Sequence, residues 1–330
     1  MTLIDIAELA RILNPQLSPD GRTLIYHRSH ADWKIGVPVW NIVRQDIGGA
    51  PVQITFTETG EIPAPGSLRW SPDGTTISFL RAGQIYLMPA AGGEPRALTH
   101  HASPVYPGVP PAWTPDGSAM YFVASDPRSA EERNRDRVRD DVYAFEEDFK
   151  QRHLWKIVVA TGAETQITNG DASVISFRLS LDGARIALER APTPLEGDKY
   201  RAEVWVMDAS GANARVLTQN SVGELDPELS PDGRTVLFRA ETNERFEPYY
   251  NANLFVIPAS GGTPHPVARD FPYEVEQATW AADGRSIYLV ANMGVHNELF
   301  QIDPRSGRFT QLTDGRHFIV AAGGGFSVDT

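Results

Sequence analysis

A short segment near the middle of the chain places three acidic residues beside aromatic side chains. Glu146, Glu147 and Asp148 are adjacent, and Tyr143 and Phe145 come just before them. Adjacent carboxylates that face a shielded cavity attract an ammonium group strongly, and the attraction grows as water is excluded. The aromatic side chains can fix the segment by burial and leave the acids available. The segment is therefore a candidate site for a positively charged ligand.

A second interpretation makes the same acids an ordinary solvated surface. They belong to an insert, about residues 125–152, in which acidic and basic side chains are mixed. Here the acids would lie on the exposed face of a helix, or they would pair with neighbouring cations. Those cations are Arg133, Arg137, Arg139 and Lys150. The sequence alone leaves both interpretations open.

The chain shows no other set of residues suited to catalysis or to metal binding. It has no cysteine, which excludes disulfides and thiolate metal sites, and its eight histidines lack the spacing of a metal site. No Gly-x-Ser-x-Gly nucleophile elbow occurs; the nearest match, Gln219-Asn-Ser-Val-Gly223, lacks the first glycine. We expect no catalytic residue, no metal and no cofactor in this chain.

One short tag recurs along the whole sequence and predicts the elements that position this segment. Each tag has a leucine or an aromatic residue, a small residue, and a turn that ends in Asp-Gly. The glycines of the six complete tags are residues 21, 74, 117, 183, 233 and 284, and a broken copy, Phe326-Ser-Val-Asp-Thr330, ends the chain. Repeats of this period are typical of β-propeller blades.

Each repeat has the pattern of four short strands. A β-rich run follows the tag, then a second run, a hairpin turn with glycine, and a short closing strand. The closing strand ends in Leu-Thr or Ile-Thr in all units but the fifth, which has Val267-Ala268. We predict an all-β, seven-bladed type of β-propeller with four-stranded antiparallel blades, an incomplete last blade and a partly helical insert in blade 3. A sandwich array of similar period is the alternative.

Composition limits the classes of partner. The formal net charge is −12, and no basic cluster stands out, so nucleic acid is not expected as a partner. No apolar run is long enough to span a bilayer, and the start has no basic region of a secretory signal. It predicts a short amphipathic lead-in helix within residues 1–16, with Leu3, Ile6, Leu9 and Leu13 at helical spacing. We expect a cytoplasmic location, or a periplasmic one if a leader is removed.

Two stretches make a family resemblance specific. The lead-in from Asp5 to Gly21 and the stretch from Asp141 to Trp155, followed by Ala160-Thr-Gly162, resemble the non-catalytic propeller of the prolyl oligopeptidase family of serine peptidases. The bacterial dipeptidyl-peptidase and acylaminoacyl-peptidase branches look most similar. The resemblance covers essentially the whole chain, with the propeller at residues 17–330.

The resemblance implies a propeller that caps a C-terminal α/β-hydrolase domain and admits only short peptides. It also implies a role for the acidic segment, because in dipeptidyl peptidases an aromatic residue followed by paired glutamates binds the substrate's free α-amine. Phe145-Glu146-Glu147 looks like that motif. Asp148 as a third acid, and a phenylalanine where an aromatic hydroxyl might be expected, depart from the strict dipeptidyl form.

The expected partners are therefore that hydrolase domain and a short peptide. A membrane is not expected as a partner. The oligomeric state is left open, and a homo-oligomer is one of the open alternatives. Because the hydrolase is missing and the last tag is broken, we expect the chain to be truncated at Thr330. The rival hypothesis is a stand-alone Tol-B-like propeller that serves as a protein-interaction platform.

Overall fold

Six four-stranded antiparallel sheets make up almost all of the regular structure. A computed structural model describes residues 2–57, 66–140, 142, 146–243, 245 and 247–315. Each sheet begins near one tag and has its strands in chain order, as β-propeller blades do. We number these sheets blades 1 to 6. The sequence-based prediction of an all-β propeller with four-stranded blades is confirmed.

The first compact unit runs up to Phe122 and includes Lys156–Thr165. Its blade 1 contains β1 (Ile12–Leu17), β2 (Thr23–Asp32), β3 (Val37–Asp46) and β4 (Val52–Gln53). Its blade 2 contains β5 (Arg69–Trp70), β6 (Thr76–Arg81), β7 (Gln84–Pro89) and β8 (Arg96–Ala97). Blade 3 contributes residues to both units and contains β9 (Ala112–Trp113), β10 (Ala119–Ser125), β11 (Arg152–Val158) and β12 (Glu164–Gln166).

The second unit contains Val123–Trp155 and the described residues from Gln166 onward. Blade 4 has β13 (Ser173–Leu179), β14 (Arg185–Ala191), β15 (Glu203–Asp208) and β16 (Arg215–Val216). Blade 5 has β17 (Glu224–Leu229), β18 (Thr235–Thr242), β19 (Pro248–Pro258) and β20 (His265–Pro266). Blade 6 has β21 (Glu274–Trp280), β22 (Ile287–Asn292), β23 (Asn297–Ile302) and β24 (Phe309–Gln311).

The blade count differs from the seven-bladed prediction. The described residues form six blades, and blade 6 ends with β24 at Gln311. The broken seventh tag at residues 326–330 lies outside the described residues. The incomplete last blade therefore stays a prediction.

In five of the six complete tags, a hydroxyl joins the turn to the strand that follows it. In the second tag, Ser71 Oγ donates to Asp73 Oδ1 over 2.5 Å and accepts from the Thr76 amide over 3.0 Å. The tags that begin at residues 17, 113, 179 and 229 repeat this pair of bonds. In the third tag, the hydroxyl of Thr114 and the donors of Ser118 lower the pKa of the Asp116 carboxyl to about 2. The last complete tag has Ala281 at this position and lacks the hydroxyl.

The closing threonine holds the outer strand of a blade to the strand beside it. Thr99 Oγ1 accepts from the Ile85 amide over 2.9 Å and donates to Gln84 Oε1 over 2.7 Å. The equivalent amide bonds are 2.8 or 2.9 Å long and are made by Thr55, Thr168, Thr218 and Thr313. We call this arrangement the threonine clasp. It explains why four of the other blades keep the same Leu-Thr or Ile-Thr ending as blade 2.

Thr99→Val is expected to lower the free energy of unfolding by about 1–3 kcal/mol. Valine keeps the shape but leaves the buried Ile85 amide without its acceptor, and a buried donor without a partner costs about that much. Urea unfolding of the variant measures the change. Thr310→Val, at an exposed position of β24, is the control and should change little. An equal effect of both substitutions would contradict this role of the clasp.

Apolar side chains between neighbouring sheets form the core of each unit. In the first unit, side chains from blades 1 and 2 pack together, with Trp70 and Tyr86 against them. The buried members are Ile25, Ile42, Ile54, Leu68, Ile77, Phe79, Met88 and Ala90. In the second unit, Phe238 stacks on Phe255 with ring centroids 5.8 Å apart. Burial of these faces supplies the main stabilisation of each sheet.

Two short α-helices and a 3-10 helix complete the described structure. Helix α1 (Leu3–Ala7) is capped by Thr2, whose hydroxyl accepts from the Asp5 amide over 3.1 Å. The helix is shorter than predicted, since Leu13 already lies in β1 and Asn14 precedes Pro15, which disfavours helix. Helix α2 (Ala130–Val138) confirms the helical part of the insert, and the 3-10 helix spans Glu196–Arg201. No helix among the described residues is long and apolar enough to cross a bilayer.

Candidate functional site

The insert leaves blade 3 at the end of β10, and its two ends are tied together. The Asp126 amide donates to the Gln151 carbonyl oxygen over 2.8 Å. The Gln151 side chain then bonds the carbonyl oxygen of Pro192 over 2.9 Å and accepts from the hydroxyl of Ser173. The Ser173 hydroxyl also accepts from the Arg152 amide over 3.1 Å. These bonds fix the base of the insert on blade 4.

A capped helix fills the first half of the insert. Ser129 and Glu132 form a capping box, in which the Glu132 carboxylate accepts from the Ser129 amide over 2.6 Å. The same carboxylate pairs with Lys150 Nζ at 2.5 Å, and these donors lower the pKa of Glu132 to about 2. Lys150 is thus bound to the helix N-terminus rather than to the predicted acidic segment. This ion pair connects the two ends of the insert.

The predicted acids lie in a turn between helix α2 and Lys150. Glu146, Glu147 and Asp148 are all exposed, and Glu146 has a positive φ of 60°. None of the three forms a hydrogen bond or an ion pair with another residue that the structure describes. The supporting aromatics, Tyr143 and Phe145, lie outside the described residues, so amine binding at this segment stays a prediction.

A histidine lies beside the base of the insert. His153 is buried at the start of β11, with its Nε2 atom 3.5 Å from Asp126 Oδ2. Its Nδ1 atom lies 3.4 Å from the Thr168 hydroxyl of the clasp in blade 3. Burial lowers the pKa of His153, and the charge of Arg190 acts in the same direction, while Asp126 opposes them.

Three largely buried titratable groups share one register position that the sequence analysis did not single out. The position is the sixth residue after the tag glycine, in the second strand of the blade. Blades 2, 3 and 6 have an apolar residue there, whereas blades 1, 4 and 5 have His27, Glu189 and Arg239. Aligning the six repeats on their tags would have revealed these three polar residues.

In the second unit, the residues at this position, Glu189 and Arg239, belong to a charged network that connects blades 4, 5 and 6. Glu189 accepts from the Ser176 hydroxyl over 2.8 Å and from the Asp226 amide over 3.4 Å. Arg239 pairs with Asp226 at 2.5 Å and donates to the Val275 carbonyl oxygen over 2.9 Å. Burial, together with the charge of Asp226, raises the pKa of Glu189 to about 7. The network therefore holds a carboxyl group that ionises near neutral pH.

A second carboxyl pair lies where blade 4 passes into blade 5. Glu224 is fully buried and accepts from Thr218 Oγ1 over 2.6 Å and from Asn220 Nδ2 over 2.5 Å. The neighbouring Glu203 accepts from the Asn220 amide over 2.9 Å. Burial raises the pKa of Glu224 to about 8, and the charge of Glu203 adds to this. In the part of the chain that the structure describes, no group of three or more acids and histidines has the arrangement of a metal site.

Comparisons with curated proteins connect the chain to peptidases. It is 24% identical over 347 residues to dipeptidyl-peptidase 5 of Porphyromonas gingivalis, covering 96% of this chain and 49% of that protein. It is 28% identical over 122 residues to the uncharacterized peptidase YuxL of Bacillus subtilis, covering 37% of this chain and 18% of that protein. The chain thus spans half or less of the length of these relatives. No family model matches.

Solved structures share the fold at lower sequence identity. An acylaminoacyl peptidase of Pyrococcus horikoshii is 16% identical with a TM-score of 0.67, and the match covers 96% of this chain and 48% of that one. An oligogalacturonate lyase bound to manganese has a TM-score of 0.64 at 14% identity, covering 89% and 74% of the two chains. These matches confirm the β-propeller. The resemblance found in the sequence is confirmed as well, since the chain is similar to dipeptidyl-peptidase 5 along 96% of its length.

Proposed function

We propose that this propeller is the non-catalytic, substrate-recognising part of a serine exopeptidase that acts on short peptides. The observation that carries the proposal is the similarity to dipeptidyl-peptidase 5 over 96% of the chain. The remaining half of that relative's length leaves room for an α/β-hydrolase domain on the C-terminal side, which would supply the nucleophile. The propeller would then limit access to that nucleophile and help to orient the substrate.

The acidic turn of the insert is the proposed contact for the substrate's free amine. Glu146, Glu147 and Asp148 are exposed and unpaired among the described residues, and the ion pair between Lys150 and Glu132 fixes the insert beside them. An ammonium group that approaches two carboxylates gains charge-assisted hydrogen bonds. Long inserts on rigid scaffolds are frequent positions for such binding residues. The distance from the amine to the nucleophile would select the bond that is cut.

Replacing both glutamates tests this role in the longer protein. Glu146→Gln with Glu147→Gln is expected to raise KM for peptides with a free amine by roughly ten- to a hundredfold, because charge-assisted bonds are worth about 1.5–3 kcal/mol. Substrates with a blocked amine should change little. The measurement is steady-state kinetics on a matched pair of blocked and unblocked peptides.

A matched control separates recognition from general charge. Glu131→Gln removes one exposed acid from helix α2 of the same insert and should leave both KM values unchanged. Equal effects of the double variant on blocked and unblocked peptides would refute amine recognition. They would leave the peptidase proposal itself intact, because any hydrolysis of either peptide still demonstrates it.

The rival function is a stand-alone propeller that serves as a protein-interaction platform. The shared fold with an oligogalacturonate lyase shows that such propellers occur outside peptidases. The size of the native gene product distinguishes the two proposals. A product near 36.3 kDa favours the platform, whereas one larger by about 25–30 kDa, a typical large domain, favours the peptidase.

A further inference from the structure

The sequence contains a single Asn-Gly pair, and it lies in an exposed turn. Asn169 and Gly170 connect β12 of blade 3 to β13 of blade 4, and both residues are exposed. Asparagine is chemically labile, because the backbone nitrogen of the next residue can attack its side-chain amide carbon. Glycine leaves that nitrogen unhindered, since it has no Cβ. The pair is therefore a candidate site of spontaneous covalent modification.

The fold leaves both reacting groups of this pair accessible. Within the described part of the chain, neither the Asn169 side-chain amide nor the Gly170 backbone amide forms a hydrogen bond. Gly170 has a φ of 84°, and a Cβ added to it would meet no atom within 4 Å. The space around the turn can therefore accommodate the succinimide ring that forms when the backbone nitrogen attacks the side chain.

Arg190 binds the carbonyl oxygen of the same peptide bond. Its Nη2 atom donates to the Asn169 carbonyl oxygen over 3.1 Å and to the Ala172 carbonyl oxygen over 3.0 Å. Its Cζ atom lies 5.1 Å from the centroid of the Trp205 ring, and these contacts hold the cation at the turn. When the Gly170 amide loses its proton, resonance of the peptide bond places negative charge on this oxygen. A positioned cation stabilises charge that develops there.

We propose that Asn169 deamidates spontaneously in the folded chain and that Arg190 accelerates the reaction. The Gly170 nitrogen gives its proton to solvent and forms a bond to the side-chain amide carbon of Asn169. The side-chain nitrogen takes up a proton and leaves as ammonia, which completes the succinimide. Water then opens the ring at either carbonyl, so that the residue becomes aspartate or isoaspartate. Each conversion consumes one water and releases one ammonia, with no oxidant or reductant.

Either product changes the charge beside the base of the insert. The new carboxylate lies next to Arg190, and the charge of Arg190 acts on His153. Isoaspartate also lengthens the backbone by one carbon atom, so the carbonyl oxygen that Arg190 binds moves away from the guanidinium. Deamidation would therefore alter the connection between blades 3 and 4 as the protein ages. The proposal does not depend on the peptidase function, because the reaction needs only water and this turn.

Peptide mapping of the folded chain during incubation at pH 8 tests the proposal. Trypsin cleavage after Lys156 and Arg178 releases a peptide in which Asn169 is the only asparagine. We expect its aspartate and isoaspartate forms to accumulate with time, relative to a sample digested at the start. Asn213 is the control in the same sample, since it is exposed but is followed by an alanine, whose Cβ hinders the attack. No conversion of Asn169, or equal conversion of both asparagines, would overturn the proposal.

Variants test the part played by the guanidinium. Arg190→Gln should slow the conversion by about tenfold, which corresponds to about 1.4 kcal/mol of transition-state stabilisation. Arg190→Lys keeps the charge but not the fork of donors, so its rate should lie between the two. Arg201→Gln, at an exposed arginine that pairs with Asp198, should react as the wild type does. If Arg190→Gln does not fold, the lysine variant decides. A rate equal to that of the wild type in the folded Arg190 variant would refute the acceleration.

Discussion

Raising the pH from about 6 to about 9 is expected to lower the free energy of unfolding by about 4 kcal/mol. The cause is the pair of buried carboxyls, Glu224 and Glu189, whose pKa values burial raises from 4.5 to about 8 and to about 7. In the unfolded chain both groups ionise in water near pH 4.5. In the folded chain each group keeps its proton until a higher pH, because the buried carboxylate would ionise without the hydration that water supplies.

The sign of the effect follows from the number of bound protons. Between pH 4.5 and pH 8 the folded chain binds more protons than the unfolded chain, so stability falls as the pH rises. The stability that the two carboxyls contribute is fully present below the ordinary pKa of glutamate. It is lost as the pH rises through their raised pKa values. The groups that face Glu224 are Glu203, Thr218 and Asn220, and those that face Glu189 are Ser176, Asp226 and Arg239.

Urea unfolding at a series of pH values measures this dependence. Glu224→Gln should flatten the curve between pH 6 and pH 9, since glutamine stays neutral and can still accept from Thr218 and Asn220. Glu241→Gln, at an exposed position of β18, should leave the slope unchanged. A wild-type curve that is level or that rises over this range would show that neither carboxyl carries a raised pKa.

Arg239→Met is expected to destabilise the chain by about 3 kcal/mol at pH 8. The substitution removes the partner of Asp226, leaves the Val275 carbonyl without its donor, and takes away the positive charge nearest to Glu189. The arginine side chain is 15% exposed and Asp226 is 38% exposed, so water compensates only in part. The loss should be smaller at pH 5, because Glu189 is then protonated.

A double-mutant cycle assigns the effect to the network. Adding Glu189→Gln to Arg239→Met should recover part of the stability at pH 8 and almost none at pH 5. Arg234→Met, at an exposed position of the same blade, is the matched control. If the two single substitutions add without coupling at both pH values, Glu189 and Arg239 do not act together.

The architecture could be predicted because its signals are local. The Asp-Gly turns, the strand runs after them and the Leu-Thr endings recur in order, and each is fixed by a few neighbouring residues. The tag serine at position 71, for example, bonds residues only two and five positions away. The lead-in helix was predicted too long, because the spacing of apolar residues does not reveal that Leu13 pairs with His27 as a strand.

The candidate site was harder to predict because its contacts are distant in sequence. The insert was recognised by its length and charge, but the sequence does not show that Lys150 binds Glu132 rather than the acids beside it. The buried positions of Glu189 and Arg239 depend on a network through Asp226 and Val275, residues 36 or 37 positions away. Such pairings follow from packing one blade on the next, which no single repeat reveals.

The threonine clasp also indicates how the sequence is able to vary. Blade 5 ends in Val267-Ala268 and keeps its outer strand through backbone bonds, such as that from the Val267 amide to Leu254 over 2.9 Å. In the same blade, the Asn253 side chain donates to the Thr242 carbonyl oxygen over 2.7 Å. Since repeat folds gain stability unit by unit, the loss of one clasp is a local cost that the other blades do not share. Redundancy of this kind lets a single blade diverge in sequence, and acquire new surface chemistry, while the repeats around it preserve the fold.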